Sequence, residues 1–483
     1  MKNTRDSAAA RLVRIGAPIS RRRFIGQASC AAVGAVPLIN TILNLKLAGS
    51  VAAAEPGAGE YRALVCLFLN GGNDSFNMLV PHGAAHAAYA NVRGDLALPD
   101  AGQPGGVLPI DPLGDPGLPL AVHPSMPELQ QLFDQGSACF VSNVGTLVEP
   151  TSKADFLAGT ATLPLGLFSH SDQIEQWQTS LPDTRTGVGW AGRMADLLKD
   201  LNGNDKVSMN ISLSGSNVWQ TGQSVFEYAI TSGGAVGLQG YQAAYTNNNA
   251  LQQIRSAAVD SQMAQTYSNL FAETFAKAKR DAVAAYDLFS TATNVALPGG
   301  ATFPDTTLGH QFQMVAKVIA GRLALDATRQ TFFIGYGGWD HHDEVVGNQQ
   351  VMLGYVSQAV GAFHNAMVQL GLQDQVAVFS ASDFGRTLTS NGQGSDHAWG
   401  GNHFVVGGGV NGQRIWGQYP NLADLNTLDV GRGRLIPAIS VDEYFAELAL
   451  WLGVSKASLP LVLPNIGRFY NTAGADWPVG FMA

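Results

Sequence analysis

Asp340, His341 and His342 stand in succession after an apolar run that begins at Thr331 and closes on Gly337, Gly338 and Trp339. A carboxylate oxygen and an imidazole nitrogen two positions apart suit Zn²⁺ or a similar divalent ion. A second segment is built alike. Asp383, Phe384, Gly385 and Arg386 follow the apolar run 375–380, and Ser395, Asp396 and His397 come shortly after. Two further groups offer polar atoms, Asn70 to Asp74 and the pair Ser169–His170. A metal centre needs three or four deprotonated donors. Two neighbouring ions can share anionic ligands and clamp both attacking and leaving oxygens. A serine at a helix N-terminus beside such an ion becomes a nucleophile candidate.

Each residue also has a plain alternative. Asp383 could pair with Arg386, and Arg386 could either do that or bind an anionic substrate. Asp74 could close an Asx-turn. Ser169 could cap a helix, and His170 could be a ligand, a base or a packing residue. His341 could hydrogen-bond to a ligand from outside.

The elements that must position these groups alternate. Residues 61–69, 137–142, 331–337, 375–380 and 404–407 read as buried strands. Residues 124–135, 308–325, 346–370 and 441–452 read as helices, with another starting near 169. Such alternation predicts an α/β sandwich around a mainly parallel sheet flanked by helices. The polar segments follow strands or start helices, so they converge on one sheet edge, where open α/β sheets bind ligands. Residues 99–122 are rich in Pro, Gly and Asp and read as a surface excursion. Residues 203–246 are rich in Gly, Ser and Asn, and 247–292 in Ala, which reads as an inserted helical and irregular subdomain. The expected organisation is a targeting segment over 1–54, a first part of the core over 55–202, an insertion or cap over 203–300, and a second part of the core over 301–483.

The targeting segment rests on Ser20, Arg21, Arg22, Arg23, Phe24 and Ile25, which resemble a twin-arginine export motif, and on Ala52, Ala53 and Ala54 before Glu55. Asn40, Asn44 and Lys46 interrupt the apolar stretch between them, so no stable membrane span is expected. The expected location is the bacterial periplasm or the outside of the cell, with the twin-arginine translocase as a partner during export. Residues 1–54 hold eight of the 28 basic and one of the 37 acidic residues, which leaves a remainder of net charge −16. Such a remainder argues against nucleic acid as a partner. Cys66 and Cys139 lie inside apolar runs and read as buried thiols.

Several short motifs occur in order along the chain: Asn70 to Asp74, Ser169–His170, Gly189 to Arg193, Gly338 to His342, Ser382 to Thr387, Gly394 to Gly400, and Gly431–Arg432. Together they resemble the domain of unknown function 1501 family, a group of exported bacterial proteins. That family is remotely similar to the alkaline phosphatase and sulfatase superfamily. The resemblance implies an alkaline-phosphatase-like fold and hydrolysis of a phosphate or sulfate ester on a small molecule or a polymer. It implies one or two divalent ions, with Zn²⁺ first and Mn²⁺, Mg²⁺ or Ca²⁺ as other choices. Asp340, His342 and His397 would hold one ion. Asp383, with Asp74 and Asn70, would line the place of a second. Ser169 or a water would attack, and Arg386 would stabilise the developing charge. Asn70 stands where many relatives have Asp, and Phe384 where many have His. The alternative is a non-catalytic exported envelope or polymer-binding protein that keeps the fold and at most a structural metal. The sulfatase signature Cys-x-Pro-x-Arg is absent from the sequence, so a formylglycine mechanism is not implied.

Overall fold

Arg62–Asn70 runs through the middle of the molecule as a strand with nothing but apolar side chains between its ends. In a computed structural model that describes residues 60–242, 249–423 and 426–482, it pairs in parallel with Arg329–Gly337 on one side and Val376–Ser382 on the other. The expected export segment lies outside the described residues. From Ala63 to Leu69 every side chain is buried, and alternate ones enter opposite cores. Ala63, Val65, Leu67 and Leu69 pack with the helices Thr307–Ala320 and Val345–Leu370. Leu64, Cys66 and Phe68 pack with Trp190–Leu198 and Val441–Leu452. Each fully buried Leu, Val or Phe is worth about 1.5–3 kcal/mol, so burial on both faces holds this strand at the centre. Cys66 and Cys139 are buried free thiols.

The order across the sheet is Ile415–Trp416, Ala138–Gly145, Gly401–Gly407, Val376–Ser382, Arg62–Asn70, Arg329–Gly337, Asn210–Ser212, Tyr228–Thr231 and Gly234–Ala235. The short strand Ile439–Ser440 also pairs with Ala138–Gly145. Gly401–Gly407 runs antiparallel to both its neighbours, while the central pairs are parallel. The protein is thus an α/β sandwich with a mainly parallel central sheet flanked by helices.

Helix ends follow local chemistry. Val441–Leu452 starts at a capping box, in which the Ser440 hydroxyl accepts from the Glu443 amide and the Glu443 carboxylate accepts from the Ser440 amide. Gly453 closes it in a left-handed conformation.

Two segments differ from the sequence expectation. Residues 79–81, 108–109 and 120–122 form a separate three-stranded sheet, so the stretch 99–122 is partly ordered by pairing. Within 203–300, Asn210–Ser212 and Tyr228–Thr231 extend the central sheet. The strand Gly234–Ala235 and the helices Ala250–Ala264 and Leu270–Thr293 also lie in that segment. No helix among the described residues is long and apolar enough to cross a membrane.

Candidate metal centre

The C-terminal ends of the three central parallel strands meet. The turn after Asn70, the turn after Gly337 and the turn after Ser382 touch one another, and glycine makes the contact possible. Gly71 has φ +121°, and a Cβ there would stand 2.4 Å from the Asp340 amide nitrogen. The segment after Ser382 then folds back on itself. Gly385 N donates to Trp399 O, Ala398 N to Gly385 O, and Thr387 N to Asp396 O, each at 2.9 Å. That return carries His397 to the strand end that holds Asp340.

His170, Asp340 and His397 bring donor atoms within 4.8 Å of one another, and His342 adjoins Asp340 and His397. Asp340 Oδ1 lies 3.1 Å from His342 Nε2, 3.3 Å from His397 Nε2 and 3.4 Å from His170 Nε2. His342 Nε2 and His397 Nε2 are 3.0 Å apart. Donors bound at ~2.0–2.2 Å to a tetrahedral ion are separated from each other by about 3.3–3.6 Å. The observed spacing is close to that.

The far nitrogen of each imidazole is already committed. His170 Nδ1 donates to Asp383 Oδ2 at 2.7 Å. His397 Nδ1 donates to the Phe168 carbonyl at 2.8 Å. His342 Nδ1 donates to Asp396 Oδ1 at 3.1 Å. A ring whose Nδ1 holds the proton keeps its Nε2 lone pair free for a metal. His170 Nε2 is buried and has no hydrogen-bond partner among the described residues. The lone pairs of His170 and His397 and a carboxylate oxygen of Asp340, all within 4.8 Å of one another, repel unless a cation sits among them, so these residues fit a divalent ion.

The electrostatics differ from group to group. Burial works against ionising Asp340, but the Arg386 guanidinium beside it holds its carboxyl below the usual range. Burial pushes the His397 imidazole down, which favours its neutral, ligating form. The hydrogen bond to Asp383 draws His170 up, because that carboxylate favours the imidazolium. Asn391, ahead of Arg432 and His342 and against some burial, holds Asp396 down at about 2, so it stays an acceptor.

The other residues singled out in the sequence fall elsewhere. Asp383 is fully buried, and its second oxygen accepts from the Gly71 amide at 3.0 Å. It holds His170 and does not face the common point. Asp74 is not brought there either. Its carboxylate forms a fully buried pair with Arg93, whose guanidinium also donates to Asn77 and to the carbonyls of Thr387 and Leu388. Asn70 offers its carbonyl to the Trp339 amide at 3.1 Å and turns its side-chain amide toward the Phe68 carbonyl. These three residues therefore do not assemble a second ion site.

Arg386, expected to meet an anionic substrate, is fully buried instead. It donates to the carbonyls of Gly72 (3.0 Å), Ser395 (2.7 Å), Gly71 (2.8 Å) and Trp339 (3.3 Å), and to the Asp340 carboxylate. Its ionic partner is Asp340 and not Asp383. With its donors used, it ties three strand-end turns together.

Ser169 does precede the helix His170–Thr179, as its N-cap, yet its hydroxyl makes no cap bond. It lies 3.2 Å from the Ser171 hydroxyl and bonds Asp172, so it is turned along the helix start. His341 is buried behind the centre, where its carbonyl accepts from the Ser395 amide at 3.2 Å. His170 and Asp396 are the functional residues that the sequence reading left unassigned. Their signals were the His that opens a helix and the Asp directly before His397.

Comparison with known proteins places the chain only broadly. No curated protein matches it. Among solved structures, it is similar to Ps i-CgsB in complex with k-i-k-neocarrahexaose, with 11% identity, 85% of this chain and 78% of that one covered, and a TM-score of 0.31. It is also similar to the lipoteichoic acid synthase LtaP from Listeria monocytogenes, with 9% identity, 83% and 75% covered, and a TM-score of 0.30. Likenesses this distant carry no argument about function. The model of one family, described as protein of unknown function (DUF1501), matches residues 61–430. The chain belongs to the DUF1501 family.

Proposed function

We propose that this protein is an exported, metal-dependent hydrolase that acts on phosphate or sulfate esters at the Asp340 centre. One observation carries the reading. His170, Asp340 and His397 bring donor atoms within 4.8 Å of one another, and both imidazoles have Nδ1–H held by an oxygen. Two nitrogens and one oxygen, with the His342 imidazole beside them, suit Zn²⁺ or a similar transition ion better than Mg²⁺ or Ca²⁺, which prefer all-oxygen shells.

An ion held there would act as a Lewis acid on an ester oxygen. His170, His397 and Asp340 would bind it, with His342 beside them. Asp383, Asp396 and the Phe168 carbonyl fix the three rings, and Arg386 keeps Asp340 ionised and in place. The Ser169 hydroxyl has other partners, so a solvent water is the better attacking group.

With His342 drawn in, four protein donors could also fill a tetrahedral ion completely, as structural zinc sites do. That favours the second reading, a non-catalytic envelope or polymer-binding protein. Against it, Asp340 and His342 are each 46% exposed, which leaves one side of the centre open to substrate.

The test is hydrolysis of aryl phosphate, phosphodiester and aryl sulfate esters by zinc-loaded protein, with Ser169→Ala alongside His397→Ala. Turnover that survives in Ser169→Ala and vanishes in His397→Ala supports the proposal. Full metal occupancy without turnover of any ester supports the non-catalytic reading.

A further inference from the structure

Two arginines stand beside the centre, and they are used differently. Arg386 is buried with its donors occupied. Arg432 is 54% exposed and gives one nitrogen, Nη2, to Asp396 Oδ2 at 2.6 Å. A guanidinium has five N–H donors. Most of those on Arg432 have no protein acceptor among the described residues.

The backbone around Arg432 is built to hold it there. Asp429 Oδ1 accepts from the amides of Gly431 at 2.7 Å and Gly433 at 2.9 Å. The Arg432 carbonyl accepts from the Thr389 hydroxyl at 3.0 Å. Arg432 itself has φ +63°, a left-handed conformation that a side chain adopts where its surroundings impose it. The same turn reaches the centre twice. Arg432 touches Asp396, which holds His342, and the Arg434 guanidinium lies 5.1 Å over the ring of Phe168, whose carbonyl holds His397.

We infer that Arg432 is the substrate-binding arm of this centre: its free N–H groups take two oxygens of a tetrahedral oxyanion, the phosphate or sulfate group of the ester. This rests on the hydrolase reading above and moves to Arg432 the anion-binding part that the sequence suggested for Arg386. A guanidinium fork matches two oxygens of such a group, whereas an ammonium does not. The bond to Asp396 sets the arm's direction and leaves the remaining donors facing solvent.

The experiment uses the full chain loaded with zinc and titrated calorimetrically with inorganic phosphate and, separately, inorganic sulfate. Metal per chain is measured on the same samples. Arg432→Gln should keep its zinc and bind the preferred anion about tenfold or more weakly, and Arg432→Lys should fall between it and wild type. Preference for one anion names the ester class. Equal anion affinity in wild type and Arg432→Gln at full zinc occupancy would overturn the inference. So would a wild type that holds zinc and binds neither anion, and both results leave the metal centre standing. Loss of zinc from Arg432→Gln in step with loss of anion would assign Arg432 to the support of Asp396 alone. A wild type that takes up no zinc removes the hydrolase reading itself.

Discussion

His342 Nε2 and His397 Nε2 face each other across 3.0 Å, while the Nδ1 of each donates to a separate oxygen. With both Nδ1 protons held by oxygens, the two rings turn their Nε2 atoms at one another, and a shared cation relieves the repulsion of their lone pairs. Binding to the folded state alone stabilises it, by about 4 kcal/mol when free ligand is a thousandfold above Kd. Zinc should therefore raise the melting temperature of the wild type. His397→Ala should lose most of that increase. Thermal melts with and without zinc decide it, and an equal zinc response in both proteins would exclude His397 as a ligand.

Asp383 acts on the ion through His170, to which it is bonded at 2.7 Å. Loss of such a supporting carboxylate costs about 10–100-fold in metal affinity. Asp383→Asn should weaken zinc binding by that amount and leave the stoichiometry at saturation unchanged. Competition against a chelator of known affinity measures it. Loss of one ion from a pair would instead make Asp383 a direct ligand.

Much of this centre was legible in the chain. Asp340 and His342 follow a strand whose apolar run and terminal glycines are plain, and His397 follows a second such strand by a short return. Strand ends in a parallel sheet share an edge, so convergence could be expected from order alone. The partners of each group could not. Asp383 meets His170 from 213 residues away, and Asp74 meets Arg93 and not an ion. Sequence shows that Arg386 is charged, but only packing shows that four backbone carbonyls consume its donors. The strands at 79–81, 108–109 and 120–122 are too short to show alternation, so pairing alone reveals them.

Arg386 should behave as a structural residue. Arg386→Met removes the donors of the Gly71, Gly72, Trp339 and Ser395 carbonyls and the counter-charge of Asp340. Breaking a buried charged network in this way costs about 2–5 kcal/mol. Urea denaturation should show a loss of that size. Unchanged stability with weakened substrate binding would return Arg386 to the anion-binding part.

Asp442 provides a pH signature away from the centre. Burial pushes its carboxyl from 3.8 up to about 8, although Ser180, Arg193 and Arg468 draw it down. The folded state thus binds this proton more tightly than the unfolded chain. Its contribution to stability is fully present below the unfolded value and is lost as pH rises through the folded one. Asp442→Asn should flatten that decline, and its gain over wild type should grow between about pH 4 and about pH 8. A stability difference independent of pH would show that Asp442 is ionised in the folded protein.

The most direct test of the metal centre is elemental analysis of protein purified without added chelator, expressed as ions per chain. Geometry brings His170, Asp340 and His397 together, with His342 beside Asp340 and His397, and gives Asp74 and Asn70 other partners. One transition ion per wild-type chain, absent from His397→Ala, is the expected result. A wild type with no bound ion, even after incubation with zinc, would contradict the centre, and two ions per chain would contradict its being single.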